Sequence, residues 1–236
     1  MKKIIIISLS ILLGACSTVG SHDRPSSYYA NDSKPKGLAS DSLLGENDQK
    51  INELLYYQVK LPPKNRIAIL KLSQDNHWKF YSNDFTSLTT SLVDGFISEL
   101  RSFDKVYDAS FLPAMLVPEK RTVPTLREAA ARFQADLLLA YRTSCNSYNK
   151  YRFIDPNETK AYCSVEAILL DVRSGIITKS VVSTQDFVAK KQKEDVNFSE
   201  TVKKAELEAI SKSLLEVAKQ VNNFLSNVAV IGKIPN

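Results

Sequence analysis

The sequence predicts an α/β fold, a mixed sheet of about five strands with helices packed on its faces, in the order β-α-β-α-β-β-β-α. Three observations predict it. Short aliphatic runs at 66–72 and 135–145 are separated by segments with a helical apolar period. Two further strand-like runs, 162–172 and 176–188, are joined by a turn at Arg173, Ser174 and Gly175, where glycine is free to take positive φ. Residues 199–225 then carry Val202, Leu207, Ile210, Leu214, Val217, Val221 and Leu225 along one stripe of a long amphipathic helix.

The elements follow in order. Residues 49–60 place Ile51, Leu54, Leu55 and Val59 at near-helical spacing. Leu61-Pro62-Pro63 ends that short helix, because a residue before proline avoids helical angles. RIAILKL at 66–72 is apolar on both faces, as an interior strand is. Residues 73–82 read as a polar, aromatic loop. In 84–101, Phe85, Leu88, Leu92, Phe96 and Leu100 share one helical face, with Ser82 or Asn83 able to cap it. Residues 105–110 form a short strand, and 111–121, with Pro113 and Pro118, read as irregular. Pro124 suits the first turn of a helix running to 134, and Thr125 with Glu128 fits a capping box.

The N-terminus has a different logic. Lys2 and Lys3 are followed by an apolar stretch at 4–13, broken only by Ser8 and Ser10, and then by Gly14 and Ala15 before Cys16. That is a secretory signal peptide, too short to span a membrane. Leu13-Gly14-Ala15-Cys16 resembles the bacterial lipobox. The resemblance implies cleavage before Cys16, a diacylglycerol and a third acyl chain on Cys16, and, through Ser17, retention at the outer membrane on its periplasmic side. Each buried acyl CH₂ contributes about 0.8 kcal/mol, so several chains hold a protein on a membrane without a span. The expected organisation is a signal peptide at 1–15, the lipidated cysteine and a flexible tether at 16–48, and a single globular periplasmic domain at 49–236 with its core at 66–225. The tether reading rests on its Ser, Asn, Asp, Pro and Gly content.

Composition narrows the function. The net charge is +5, and loss of Lys2 and Lys3 leaves +3. That excess is too small to argue for nucleic acid, and none is expected as a partner. His22 and His77 are the chain's two histidines. No zinc-ligand spacing, nucleophile elbow, P-loop or dinucleotide fingerprint is present, so no catalytic residue, metal or cofactor is expected.

Cys145 and Cys163 are expected to pair in an oxidising periplasm. Opposed residues in an antiparallel pair have a constant sum of positions. Setting Cys145 opposite Cys163 also sets Arg142 opposite Glu166, Leu139 opposite Leu169 and Leu138 opposite Leu170. One register therefore serves the disulfide, the packing and an ion pair together. In the chain-entropy account such a loop contributes about 3 kcal/mol.

The order of RIAILKL, SELRSFDKVYDASFL, LREAAARFQADLLLAY and DVRSGII resembles a superfamily of periplasmic domains. It includes the N-terminal domain of the Tol translocation protein TolB, the curli-secretion lipoprotein, lipoproteins of polysaccharide export, and lipoprotein activators of penicillin-binding proteins. Gln134-Ala135-Asp136 matches its helix-to-strand junction, and Asp171 to Gly175 matches its turn. The chain departs from the pattern at Ala140 and Tyr141, where a glycine is usual, and at Ala109 and Ser110, where Glu-Arg is common. The resemblance implies a non-enzymatic assembly or accessory factor. Its partners would be the membrane, through the anchor on Cys16, and envelope proteins or further copies of itself in a ring. Two routes stay open, a ring component of secretion or export and a monomeric regulator of a cell-wall enzyme; a periplasmic enzyme is the alternative from another class. A membrane barrel of its own is not expected, because 111–121 is too short for a spanning hairpin and 146–161 is polar throughout.

Two segments have the composition of binding surfaces. Trp78, Phe80 and Tyr81 lie in one loop, and Tyr148, Tyr151, Arg152 and Phe153 at the tip of the cysteine-closed hairpin. The competing reading is that these rings fold back over the core. The lysines at 190, 191, 193, 203 and 204 read as a solvated face. If the lipobox reading holds, Cys16→Ala releases the protein from the membrane fraction or blocks its maturation. Cell fractionation and the electrophoretic size of the product check this.

Overall fold

The computed structural model describes residues 48–72, 83–228 and 230–232. Its elements are α1 (Asp48–Tyr56), β1 (Val59–Lys60), β2 (Asn65–Lys71), α2 (Asn83–Arg101), β3 (Val106–Phe111), a 3-10 turn at Ala114–Leu116, α3 (Val123–Arg132), β4 (Leu137–Lys150), β5 (Glu158–Asp171), β6 (Ile177–Lys190), α4 (Phe198–Asn227) and β7 (Val230–Ile231). Five strands form a mixed sheet in the order β3-β2-β4-β5-β6. β2 is parallel to β3 and β4, and β4, β5 and β6 follow as an antiparallel meander. This is the expected fold class.

β2 is buried on both faces, which explains its unbroken apolar run. Ile67 and Ile69 join Leu137, Leu139, Tyr141, Val165, Ala167 and Leu169 on one face, under Phe96 and Leu100 of α2 and Leu214, Val217 and Val221 of α4. Ala68 and Leu70 join Leu138, Ala140 and Leu170 on the other, under Leu126, Ala129 and Ala130 of α3. The β4–β5 register is the one that opposes Cys145 to Cys163, Arg142 to Glu166 and Leu139 to Leu169. The Arg142–Glu166 ion pair closes at 2.6 Å on the face away from α4.

Two aspartates tie the ends of this sheet. Asp136 accepts from the Arg66 amide at 2.9 Å and from the Arg173 guanidinium at 2.6 Å. Asp171 accepts from the Ser174 amide at 2.7 Å and its hydroxyl at 2.6 Å, closing the turn before β6. Gly175 sits there at φ +81, where a Cβ would meet Arg127 Cδ at 2.9 Å. Arg127 lies that close because its Nε donates to the Val172 carbonyl at 2.8 Å. Asp108, between Arg66 at 3.0 Å and Arg101 at 2.6 Å, buttresses the β2–β3 pair. Burial alone would raise its pKa, but hydrogen bonds from Ser110, Arg66 and Arg101 hold it below its ordinary value.

Several boundaries differ from the sequence reading. α1 ends at Tyr56, and the next residues form β1, which pairs antiparallel with β7. Strands of two residues leave no periodic signal. The capping box of α3 is formed by Thr122 and Thr125, each accepting from the other's backbone N–H, at 3.3 and 3.1 Å. Glu128, expected in that box, instead pairs with Arg132 at 2.8 Å. The helix ends one turn on, with Gln134 at φ 56 and the Ala135 amide returning to the Ala130 carbonyl at 3.0 Å.

Leu169 lies 1% exposed between α4 and the sheet. Leu169→Ala should lower unfolding free energy by about 2–5 kcal/mol, because a cavity remains. Arg142→Ala, at a part-exposed pair, should cost less than about 1 kcal/mol. Urea denaturation of the two variants beside the parent chain separates these magnitudes.

Candidate functional site

β4 pairs with β2 only as far as Lys71 opposite Tyr141, yet it continues to Lys150. Beyond Tyr141 it runs roughly 30 Å further. β5 and β6 accompany it, and the three strands form an arm that projects past the end of β2. The N-terminal half of α4 lies on one face of this arm. Small residues allow the close approach: Ala205 and Ala209 of α4 meet Ala161 and Cys163 of β5. Ser213 donates to the Cys163 carbonyl at 2.9 Å. Cys145 and Cys163 are joined by a disulfide, with their Cα atoms 4.2 Å apart, the close spacing of a non-hydrogen-bonded strand pair.

Among the described residues nothing covers the opposite face of the arm. Tyr148 is 65% exposed and Val182 62%, with Tyr162 and Val188 also open to solvent. The Tyr148 and Tyr162 rings meet edge to face at 5.9 Å. Lys160 lies 4.7 Å from the Tyr162 ring centre and 3.2 Å from Asp186. Its hydrogen bond with Tyr162, then that with Asp186, raises its pKa above the ordinary lysine value. Tyr148, Lys160 and Tyr162 line a shallow depression. An aromatic pair with a fixed cation beside it can stack on a flat apolar group and hold a neighbouring acceptor.

The sequence reading set Tyr148 at a loop tip, and the structure corrects this: Tyr148 is a strand residue opposite Lys160, and pairing runs to Lys150 opposite Glu158. These polar residues sit on a strand at the edge of a small cluster in which α4 contributes Ala205, Ala209 and Ile210. Tyr151, Arg152 and Phe153 do occupy the connection between β4 and β5, each differently. Tyr151 sets its ring against Phe198 of α4, centroids 5.4 Å apart. Arg152 braces the turn: its amide donates to Asn157 Oδ1 at 2.9 Å, and its guanidinium reaches Asp155 and Glu158, both at 3.2 Å. Phe153 is fully exposed, and so, nearly, is Ile154, which the sequence reading did not single out. Tyr162 was missed as well; its alternation with Cys163 was the available signal. Trp78, Phe80, Tyr81 and Cys16 lie outside the described residues.

The link from β6 to α4 is locked from inside. Asp195 accepts from Lys204 at 2.7 Å, from the Thr201 hydroxyl at 2.6 Å and from the Gln192 amide at 3.0 Å. Asn197 caps α4 by accepting from the Glu200 amide at 3.0 Å, and Glu200 accepts from the Val196 amide at 2.9 Å. Burial pushes the Asp195 carboxyl up, but its hydrogen bonds from Lys204, Thr201 and Gln192 hold it below its ordinary value. Burial likewise pushes Lys204 down, and Asp195 and Glu200 hold it above. Among the described residues no group of His, Cys, Asp and Glu could hold a metal ion, and no helix is long and apolar enough to cross a membrane.

No protein-family model matches this chain, and no curated protein does. Among solved structures it is similar to a hypothetical protein from Chlamydia trachomatis, at 13% identity and a TM-score of 0.40, over 69% of this chain and 98% of that one. It is similar to a lipoprotein from Neisseria meningitidis at 16% identity and a TM-score of 0.32, over 69% and 99% of the two chains. A minor lipoprotein from Acinetobacter baumannii gives 11% identity and a TM-score of 0.33, over 74% and 99%. At TM-scores below 0.5 these likenesses decide neither family nor function.

A carboxyl with a lowered folded pKa stabilises the fold above its unfolded pKa and loses that contribution as pH falls through the folded one. Asp195 should therefore make the urea midpoint fall as pH drops below about 4. Asp195→Asn, which takes one of the two carboxylates from beside the part-buried Lys204 and leaves Glu200, should be less stable than the parent by about 1–3 kcal/mol at neutral pH. The gap should narrow on acidification. Urea titrations of both proteins across that range test this.

Proposed function

We propose that this protein is a lipid-anchored component of the bacterial envelope that works by binding other envelope proteins, as an assembly or accessory factor, and not by catalysis. The uncovered face of the arm carries this reading. A sheet face with two tyrosines packed edge to face and two exposed valines, held rigid by a helix behind it and a disulfide within it, offers a contact surface at low entropic cost. The lipobox-like residues ending at Cys16 support an anchor, and Ser17 supports the outer membrane as its site. Asp136 and Asp171 are occupied in holding strand ends.

Light scattering from the purified protein distinguishes the two routes the reading allows, a defined ring for an export assembly and a monomer for a regulator. The surface itself is tested by replacing both Tyr148 and Tyr162 with Ser. Stability should change by no more than about 2 kcal/mol, because Tyr148 is largely and Tyr162 partly solvent-facing. Photo-cross-linking to envelope proteins from a probe placed at Val182 should weaken by at least about tenfold. Undiminished cross-linking in a protein that melts normally would remove this face from the reading.

A further inference from the structure

We propose that the apex of the β4–β5 hairpin is a membrane-docking tip, in which Phe153 and Ile154 enter the interfacial layer of an anionic bilayer and Lys150, Lys190, Lys191 and Lys193 engage its phosphates. The proposal rests on the lipid-anchor reading of Cys16, because the anchor supplies the bilayer. The apolar part is plain: Phe153 is 105% exposed and Ile154 93%, side by side at the far end of the arm. They stand on a turn that cannot collapse to hide them. Arg152 is fixed to Asp155, Glu158 and Asn157, and the Asn157 carbonyl accepts from the Lys191 amide at 2.8 Å.

The charges around the apex select the occupant. Lys150 and Lys190 are both strand partners of Glu158, so the three side chains stand in a row on one face, and Lys191 follows directly. Lys150, Lys190, Lys191 and Lys193 are all exposed. Arg152 pairs with both Asp155 and Glu158, and with exposed Glu194 these three carboxylates face Arg152 and the four lysines, a net excess of two positive charges. A basic collar is left behind an apolar point. Lysine is depleted from protein interfaces, whereas lysine beside aromatic and aliphatic residues is the composition of surfaces that sit on anionic lipid, with the lysine stems extended toward the headgroups.

Reach permits it. α4 starts beside the tip, where Phe198 meets Tyr151, and ends near Lys105, which donates to the Leu225 carbonyl. Its 30 residues measure about 45 Å. β7 follows α4 and pairs with β1, just after α1, so the described chain begins at the end of the molecule away from the tip. Thirty-one residues separate Cys16 from Asp48, a length of chain whose upper reach is roughly 100 Å. That length of chain lets an anchor at Cys16 and the tip reach the same bilayer.

The test uses the mature protein purified with its acyl chains and carrying Phe153→Trp. It is reconstituted in phosphatidylethanolamine vesicles with about one quarter phosphatidylglycerol, part of the lipid brominated near the headgroup. The parent chain, whose one tryptophan is Trp78, gives the background. Expected are flotation with the vesicles, a blue-shifted emission from residue 153, and quenching at least about twice the background. The extra quenching should fade without phosphatidylglycerol and when the four lysines are replaced by Gln. An Ile154→Trp chain provides a second probe, and thermal melts equal to the parent's exclude misfolding. Flotation with only background quenching from both probes overturns the tip and leaves the anchor standing. Absence of flotation overturns both. Shielding of residue 153 by added envelope protein, and not by lipid, overturns the tip in favour of a protein pocket.

Discussion

β4 belongs to two structures at once, and its pairing with β5 governs both. Up to Tyr141 it is the middle strand of the five-stranded sheet, with β2 on one side and β5 on the other. Beyond Tyr141, among the described residues, only β5 remains beside it, and the same unbroken register carries the arm to Lys150. A slip of one residue would exchange the faces of every side chain. If β4 slips, Leu137 and Leu139 leave the α4 side, Arg142 enters it away from Glu166, and the cysteines part. The buried leucines below and the disulfide above therefore enforce one register from both ends.

The helices follow from that register. Large residues on the core section of the sheet call for Leu214, Val217 and Val221 on α4, whereas the small residues of the arm accept Ala205 and Ala209. One helix thus changes its packing residues partway along its length, and the change coincides with the end of β2. α4's first turn is then capped by Asn197, which accepts from the Glu200 amide that a helix start leaves open, while Asp195 and Glu200 accept from the Gln192 and Val196 amides of the preceding link.

The core was legible in the sequence because burial leaves period. RIAILKL, the stripes of α2 and α4, and the turn at Gly175 each follow from one rule of spacing or backbone freedom. The β4–β5 register was legible because three independent constraints met in a single sum of positions. The arm was legible as sheet only in part: the strand at 176–188 is β6, but β4 beyond Cys145 and β5 before Tyr162 did not read as strand. Asn146, Ser147, Tyr148 and Asn149 are polar or amphipathic on both sides, since one side faces water and the other faces alanines, and composition alone reads such a run as loop. The α3 cap was misassigned because two threonines stand three apart, and either can serve. β1 and β7 are too short to carry any pattern. Of the surface residues, Phe153 and Tyr148 were identifiable as aromatics among polar neighbours, while Tyr162 and Ile154 gain their meaning only from what fails to cover them.

α4 has a mechanical consequence. The helix is continuous from Phe198 to Asn227, with its first half on the arm and its second half in the core. The arm is consequently a cantilever and not a flap: it cannot hinge at Tyr141 without bending the helix or peeling it from the sheet. A load at the bare face or the apex is borne along the helix axis to its last turn, where Lys105 grips the Leu225 and Ser226 carbonyls and β7 pairs with β1. Engagement at one end of the molecule is thereby felt as torque at the other, beside the point where the leading segment joins the fold.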